Sequence, residues 1–262
     1  MKRLRSGLRG FWAGLVLSIA ALAPAASAQP INPFADWVAV VVAADYRDHD
    51  GQPIKVFDNA RQDLVKALAG VGFSRSRIAQ FSVRPHLYED MPLAVDPPDG
   101  LPRTLKRLTD ASPGGCFFYL TSHGNPDGVV FGKNMLTPDV VKIMLDNTCG
   151  ARPTVVVISA CFSGVFVPVL AGPNRMVVTA ARPDRASFGC GAEEVYTYFD
   201  GCVLESLPKA GRLDMLAQLA RTCVARRETE MGMTPPSEPQ VFIGPEMAKR
   251  LPDLTLVPRP AG

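Results

Sequence analysis

Two residues able to do nucleophilic chemistry close two apolar runs of this chain. Cys116-Phe117-Phe118-Tyr119-Leu120-Thr121-Ser122 ends in His123-Gly124, and Thr154-Val155-Val156-Val157-Ile158-Ser159-Ala160 ends in Cys161-Phe162-Ser163-Gly164. Both runs have the composition and length of strands buried on both faces. A thiolate is a strong nucleophile, and an imidazole beside it can accept the thiol proton or hold the thiolate as an ion pair. In open α/β sheets the site lies beyond the carboxyl ends of the strands. Neighbouring strands run about 4.8 Å apart, so two such strands side by side would form a cysteine–histidine dyad suited to acyl transfer. Gly124 lets the backbone approach closely, and its N–H could join that of Cys161 in an oxyanion hole. Ser163-Gly164 is expected to open a short helix ending near Leu170, its amino end favouring thiolate at Cys161.

Chain order narrows the mechanism. The three histidines are His49, His86 and His123, and none follows Cys161. An α/β-hydrolase needs its histidine after the nucleophile and a glycine two residues before it, where this chain has Ser159. Papain-type order fails for the same reason, whereas caspase-type order puts the histidine upstream by about 50 residues. Here the separation is 38, which keeps that class. His49 and His86 lie in polar or proline-flanked loops and are expected to be solvated. Asp48-His49-Asp50-Gly51 resembles part of a calcium loop, but Tyr46 and Phe57 fall where the first and last ligands belong. No Cys-x-x-Cys or paired Cys/His spacing suggests zinc, so no metal or cofactor is expected.

The elements that must position the pair alternate. Strands are expected at 37–44, 116–122, 154–160, 175–181 and 240–243, with a small one at 129–131. Helices are expected at 57–68, 101–108, 137–147 (Thr137 capping, Pro138 at the first position), 193–207 and 213–231. Residues 45–53 read as a polar loop and 84–102 as an irregular surface excursion. Strands alternating with helices predict an α/β fold with a mainly parallel central sheet, and no linker divides it.

At 262 residues, 47% hydrophobic and 20% charged, the composition is that of an ordinary globular protein. Lys2, Arg3, Arg5 and Arg9 precede an apolar run to about Ala26, and Ala26-Ser27-Ala28 has the form of a cleavage site. Residues 1–28 therefore read as a secretory signal peptide, leaving one domain over 29–262 in the periplasm or outside the cell. Without the signal the formal charge falls from +3 to −1, which argues against a nucleic-acid partner. No stable membrane association is expected after cleavage. Six cysteines in an exported chain suggest disulfides. Cys161 must stay a thiol, and Cys116, inside an apolar run, reads as a buried free thiol. That leaves Cys149, Cys190, Cys202 and Cys223, with three pairings open. Arg226-Arg227 reads as a solvated helix face.

Thr121-Ser122-His123-Gly124 with Ser159-Ala160-Cys161-Phe162-Ser163-Gly164 resembles the legumain (asparaginyl endopeptidase) family, in its bacterial secreted members. The similarity runs on through residues 179–190, Tyr196-Thr197-Tyr198-Phe199 and, more loosely, Ser237-Glu238-Pro239-Gln240. The resemblance implies a caspase-like αβα sandwich and cleavage of peptide bonds in a peptide or protein substrate. It implies His123 as acid/base, Cys161 as the nucleophile forming a thioester, and the Gly124 and Cys161 amides on the oxyanion. Substrate-binding roles carry over to Ser187, Asp184 and Asp200, and to Ser159, which stands where the family has an acid. Arg61 lies on the early helix that carries the family's pocket arginine. No carboxyl-terminal inhibitory prodomain is expected. The alternatives are a transpeptidase or ligase that resolves the thioester with an amine, and a catalytically silent binding module.

Overall fold

A computed structural model describes residues 32–88 and 100–256. The segment read as a signal peptide lies outside them, as does most of the expected excursion at 84–102. In chain order the elements are β1 (Val38–Ala43), α1 (Val56–Gly70), β2 (Ile78–Ser82), α2 (Gly100–Asp110), β3 (Cys116–Thr121), β4 (Gly124–Asn125), β5 (Gly128–Phe131), β6 (Asn134–Leu136), α3 (Pro138–Thr148), β7 (Thr154–Ser159), α4 (Phe166–Leu170), β8 (Arg175–Thr179), α5 (Tyr198–Ser206), α6 (Leu213–Glu230), β9 (Gln240–Ile243) and α7 (Pro245–Arg250).

A six-stranded sheet in the order β2-β1-β3-β7-β8-β9 forms the centre. Its first five strands are parallel and β9 runs antiparallel on the edge. Every residue of β1, β3, β7 and β8 is buried, as the continuous apolar runs require. Strand side chains alternate between faces, and that alternation builds two cores. Ala39, Val41, Phe117, Tyr119, Val155 and Val157 meet α1, α5, α6 and α7 on one face. Val38, Val40, Val42, Phe118, Leu120, Val156 and Ile158 meet α2, α3 and α4 on the other. The result is the expected αβα sandwich. β4, β5 and β6 form a separate three-stranded antiparallel sheet after His123.

Two expectations change, and one strand, β2, joins those expected. The helix expected at 193–207 starts at Tyr198, where the Thr197 hydroxyl accepts from the Asp200 N–H at 3.0 Å. Residues before it are drawn into a loop on α1, with the Asn59 amide donating to the Val195 carbonyl at 3.0 Å and the Tyr196 hydroxyl to Asp63 at 2.5 Å. β2, Ile-Ala-Gln-Phe-Ser, is half-polar and pairs only with β1, so it lacks the sustained apolar run that marks a central strand. The cysteine assignment also changes. Cys116 is not a free thiol but is joined to Cys149, and Cys202 is joined to Cys223, which leaves Cys190 free beside Cys161. Alternation along β3 turns Cys116 to the same face as Cys149 at the end of α3. Among the described residues, no helix is long and apolar enough to cross a membrane.

Unreduced peptide mapping is expected to recover the Cys116–Cys149 and Cys202–Cys223 pairs, with Cys161 and Cys190 alkylated. The Cys202–Cys223 bond closes 21 residues; chain-entropy reasoning gives about 3 kcal/mol for its loss in Cys202→Ala/Cys223→Ala, read by urea unfolding.

Candidate active site

β3 and β7 are adjacent and in register, with Thr121 paired to Ser159 at their ends. His123 and Cys161, each two residues further on, therefore leave the sheet at the same level. The ladder continues past the strands, since the Ser122 N–H donates to the Ser159 carbonyl at 3.0 Å. The Ser122 hydroxyl donates to the Val130 carbonyl at 2.7 Å, fixing the chain just before His123 to β5.

The His123 Nε2 lies 2.6 Å from the Arg47 carbonyl. A carbonyl only accepts, so Nε2 carries the hydrogen and the neutral ring keeps its lone pair on Nδ1. Phe57, on the first turn of α1, stands edge-on to the ring at 5.1 Å between centroids. The His49 ring is 5.3 Å away between centroids, tilted at 48°. His49 is exposed, as its loop implies, yet it stands beside His123, which its polar sequence context did not indicate. His86 is exposed as expected.

The Cys161 sulfur lies against the Ser187 backbone, accepting from its N–H at 3.3 Å and reaching its carbonyl at 3.4 Å. Among the described residues, neither His123 nitrogen bonds that sulfur, and such bonds commonly tighten only with substrate bound. Beyond Cys161 the chain turns sharply. Phe162 takes a left-handed conformation at φ 58°, its N–H bound to the Arg185 carbonyl at 2.7 Å. A non-glycine residue in that region costs of order 1 kcal/mol and persists where its surroundings fix it. A single 3₁₀ turn at Ser163–Val165 then leads into α4, ending at Leu170 as expected. The Ser163 hydroxyl accepts from the Ala181 N–H at 3.2 Å, a structural duty.

Gly124 sits where no side chain fits. A Cβ there would lie 2.3 Å from the Cys161 carbonyl oxygen. The backbones that follow β3 and β7 therefore pass in direct contact at Gly124 and Cys161.

The expected substrate-binding residues fall into two groups. Asp184 and Ser187 lie on the segment after β8, which borders Cys161. Asp184 is paired with Arg182 at 3.0 Å and Arg185 at 2.7 Å. Ser159 and Asp200 lie beneath the strand ends, both buried. Asp200 accepts from the Tyr119 hydroxyl at 2.7 Å and the Thr121 hydroxyl at 2.6 Å. The Ser159 hydroxyl is 3.4 Å from that of Thr197, and both also favour the charged form of Asp200. Burial is the stronger influence and raises the carboxyl above its ordinary range. The Tyr119 hydroxyl is raised well above its own, first by burial and then by Asp200. Arg61 is fully buried, paired with Asp58 at 3.1 Å, bonded to Gln80 and stacked 4.6 Å from the Tyr88 ring.

Cys190 stands 3.6 Å from the His49 Nε2. Burial, and then the nearby Cys161, push its thiol up to about 11. No group of three or more His, Cys, Asp or Glu side chains among the described residues is arranged to hold a metal ion.

A sequence model of the peptidase C13 family matches residues 103–207, a span that contains His123, Ser159, Cys161, Asp184, Ser187 and Asp200. Over that span the chain is similar to the legumain-type cysteine peptidases of that family. Its fold matches the crystal structure of caspase-1 from Spodoptera frugiperda with a TM-score of 0.58 at 14% identity, over 84% of this chain and 92% of that one. No curated protein matches the sequence. What the legumain-like sequence pattern did not single out is the Arg47 carbonyl, the His49 ring and the free Cys190. The first acts through its backbone and so leaves no side-chain signal.

Gly124→Ala is expected to lower kcat/KM on a peptide substrate by about 100-fold or more, since a displacement near 1 Å can cost that much, while circular dichroism stays native. Asp200, with its raised folded-state titration, contributes stability that is present at low pH and lost as pH rises above about 4, the unfolded carboxylate range. Asp200→Asn should therefore gain on the wild type with rising pH in urea unfolding series; a pH-independent difference would contradict it.

Proposed function

We propose that this chain is an exported cysteine endopeptidase working through a Cys161 thioester, with His123 as acid and base. The observation that carries the reading is the level placement of Cys161 and His123 on paired strands, with the His123 Nε2 already engaged by a carbonyl. The free Nδ1 takes the Cys161 proton, and the sulfur attacks the scissile carbonyl carbon. The oxyanion then forms over the Gly124 and Cys161 amides. As the C–N bond breaks, the imidazolium returns a proton to the departing amine and leaves an acyl-enzyme thioester. Water, deprotonated by the same ring, attacks the thioester and releases the acid and the thiol.

The segment carrying Asp184 and Ser187 borders the nucleophile and is assigned to substrate binding, with Ser159 and Asp200 as the polar floor. Asp200 acts there through the hydroxyls that surround it, because its own carboxyl is buried. The N-terminal segment of signal type and the two disulfides support export to an oxidising compartment.

Mass-spectrometric profiling of a diverse peptide library should show cleavage by the wild type. Cys161→Ala should reduce it about 10⁴-fold or more and abolish labelling by an acyloxymethyl ketone peptide. Equal labelling of the Cys161→Ala protein would sink the proposal. Products bearing an added amine nucleophile in place of water would assign the ligase reaction instead.

A further inference from the structure

The carbonyl that orients His123 lies in residues 44–47, outside any regular strand or helix. Such a stretch could swing, yet two charged side chains clamp it. Asp45, 3% exposed, accepts from the Tyr46 N–H at 2.7 Å and from the Arg47 Nε at 3.1 Å. The other end of the guanidinium donates from Nη2 to the Gly132 carbonyl at 2.7 Å, and the Gly132 N–H donates back to the Ala44 carbonyl at 2.8 Å. Arg47 thus spans from its own turn to the tip of the β5–β6 hairpin. The Arg47 backbone also pairs with Pro53 in an isolated bridge, and the Tyr46 carbonyl accepts from the Ile54 N–H at 2.8 Å. The Tyr46 ring lies under the Arg84 guanidinium at 4.5 Å.

We propose that Asp45 and the Arg47 side chain are a positioning pair for the Cys161/His123 reaction, fixing the carbonyl that sets the tautomer and tilt of His123. The proposal rests on the peptidase reading above. Neither side chain hydrogen-bonds the Cys161 sulfur or the His123 ring among the described residues, so the role is positioning and not catalytic. A buried carboxylate is costly unless paired and hydrogen-bonded, and here its partners all converge on the residues that present one carbonyl. The chemistry explains the selectivity of the effect. When Cys161 gives up its proton the ring becomes an imidazolium, and its Nε2–H bond to the carbonyl becomes charge-assisted and stronger. A carbonyl free to drift therefore penalises the imidazolium–thiolate pair more than the neutral pair.

The other titrating groups near the ring are Cys161, His49 and, beyond His49, Cys190 with Asp48 close to it. Arg47→Ala, Arg47→Lys and Asp45→Asn should be compared with the wild type in the full chain, with His49→Phe as a control for the second imidazole. Two quantities are read: steady-state kcat and KM, and the pH dependence of Cys161 alkylation by iodoacetamide, followed on the Cys161 peptide so that Cys190 is counted apart. Arg47→Ala is expected to lower kcat about 10- to 100-fold with KM nearly unchanged. It should also move the alkylation midpoint of Cys161 about one pH unit upward.

Arg47→Lys should recover part of both effects, since one ammonium can reach Asp45 or the Gly132 carbonyl but cannot hold both as a fork. His49→Phe should leave the upward displacement by Arg47→Ala in place. If Arg47→Ala does not fold, Arg47→Lys and Asp45→Asn decide by the same two readouts. Folded variants with wild-type kcat and an unmoved alkylation profile would overturn the proposal. An inactive wild type whose alkylation profile still moves on Arg47→Ala would overturn the peptidase reading and leave the positioning role standing.

Discussion

The parallel register between β3 and β7 is the constraint from which the rest of the site follows. Thr121 opposite Ser159 fixes the height at which His123 and Cys161 leave the sheet. A slip of one residue would turn Phe117 and Tyr119 toward α2 and α3, and Phe118 and Leu120 toward α1 and α5. Both cores are filled by fully buried side chains from these strands, each worth roughly 1.5–3 kcal/mol of burial. No single hydrogen bond at the active site has comparable authority. The apolar layers therefore hold the geometry, and the polar groups refine it.

Two buried carboxylates do much of that refining. Asp200 gathers hydroxyls from β3 and, through Ser159 and Thr197, from β7 and the start of α5. It joins both strands that end at the site from below. Glu228 on α6 accepts from the Ser237 N–H at 3.2 Å and from its hydroxyl, and the Ser237 carbonyl accepts from the Arg182 N–H at 2.9 Å. That relay anchors the start of the segment whose Ser187 backbone meets Cys161. The two carboxylates act from opposite ends of the same problem, one on the strands and one on the loop.

The sequence made the central strands legible because burial on both faces leaves runs with no polar interruption, as in 38–43, 116–121 and 154–159. The pairing of His123 with Cys161 was legible because the two residues close such runs and because no histidine follows Cys161. Edges were harder. β2 has one neighbouring strand and carries Gln80 and Ser82, so it does not stand out from loop composition. The start of α5 was misplaced because apolar residues continue through Val195 and Tyr196, while the Thr197 cap that ends the loop is visible only once its partner N–H is known. The carbonyl of Arg47 had no signature at all, since any residue can offer one. Asp45 and Arg47, two apart in a polar loop, look like ordinary solvated charges until Gly132 is brought to them from 85 residues away.

The cysteines show how environment separates groups of identical chemistry. With Cys161 kept as a thiol five cysteines remain, an odd number, and the apolar run around Cys116 makes it look like the unpaired one. The strand period decided otherwise, because it points Cys116 at the end of α3. Cys190 became the second free thiol, on the same segment as Ser187 and close enough to Cys161 to feel its charge. Cys190 stands beside His49, whose ring neighbours His123. The two thiols do not have the same surroundings. Cys161 receives a backbone N–H from Ser187, the kind of contact a thiolate accepts well. Cys190 packs against Ile54, Val56 and Phe57 and is pushed up to about 11, so at neutral pH it stays a protonated, weakly nucleophilic thiol. The apolar cover at and just before the start of α1 thus governs chemistry as well as packing: it keeps the Cys190 thiol protonated.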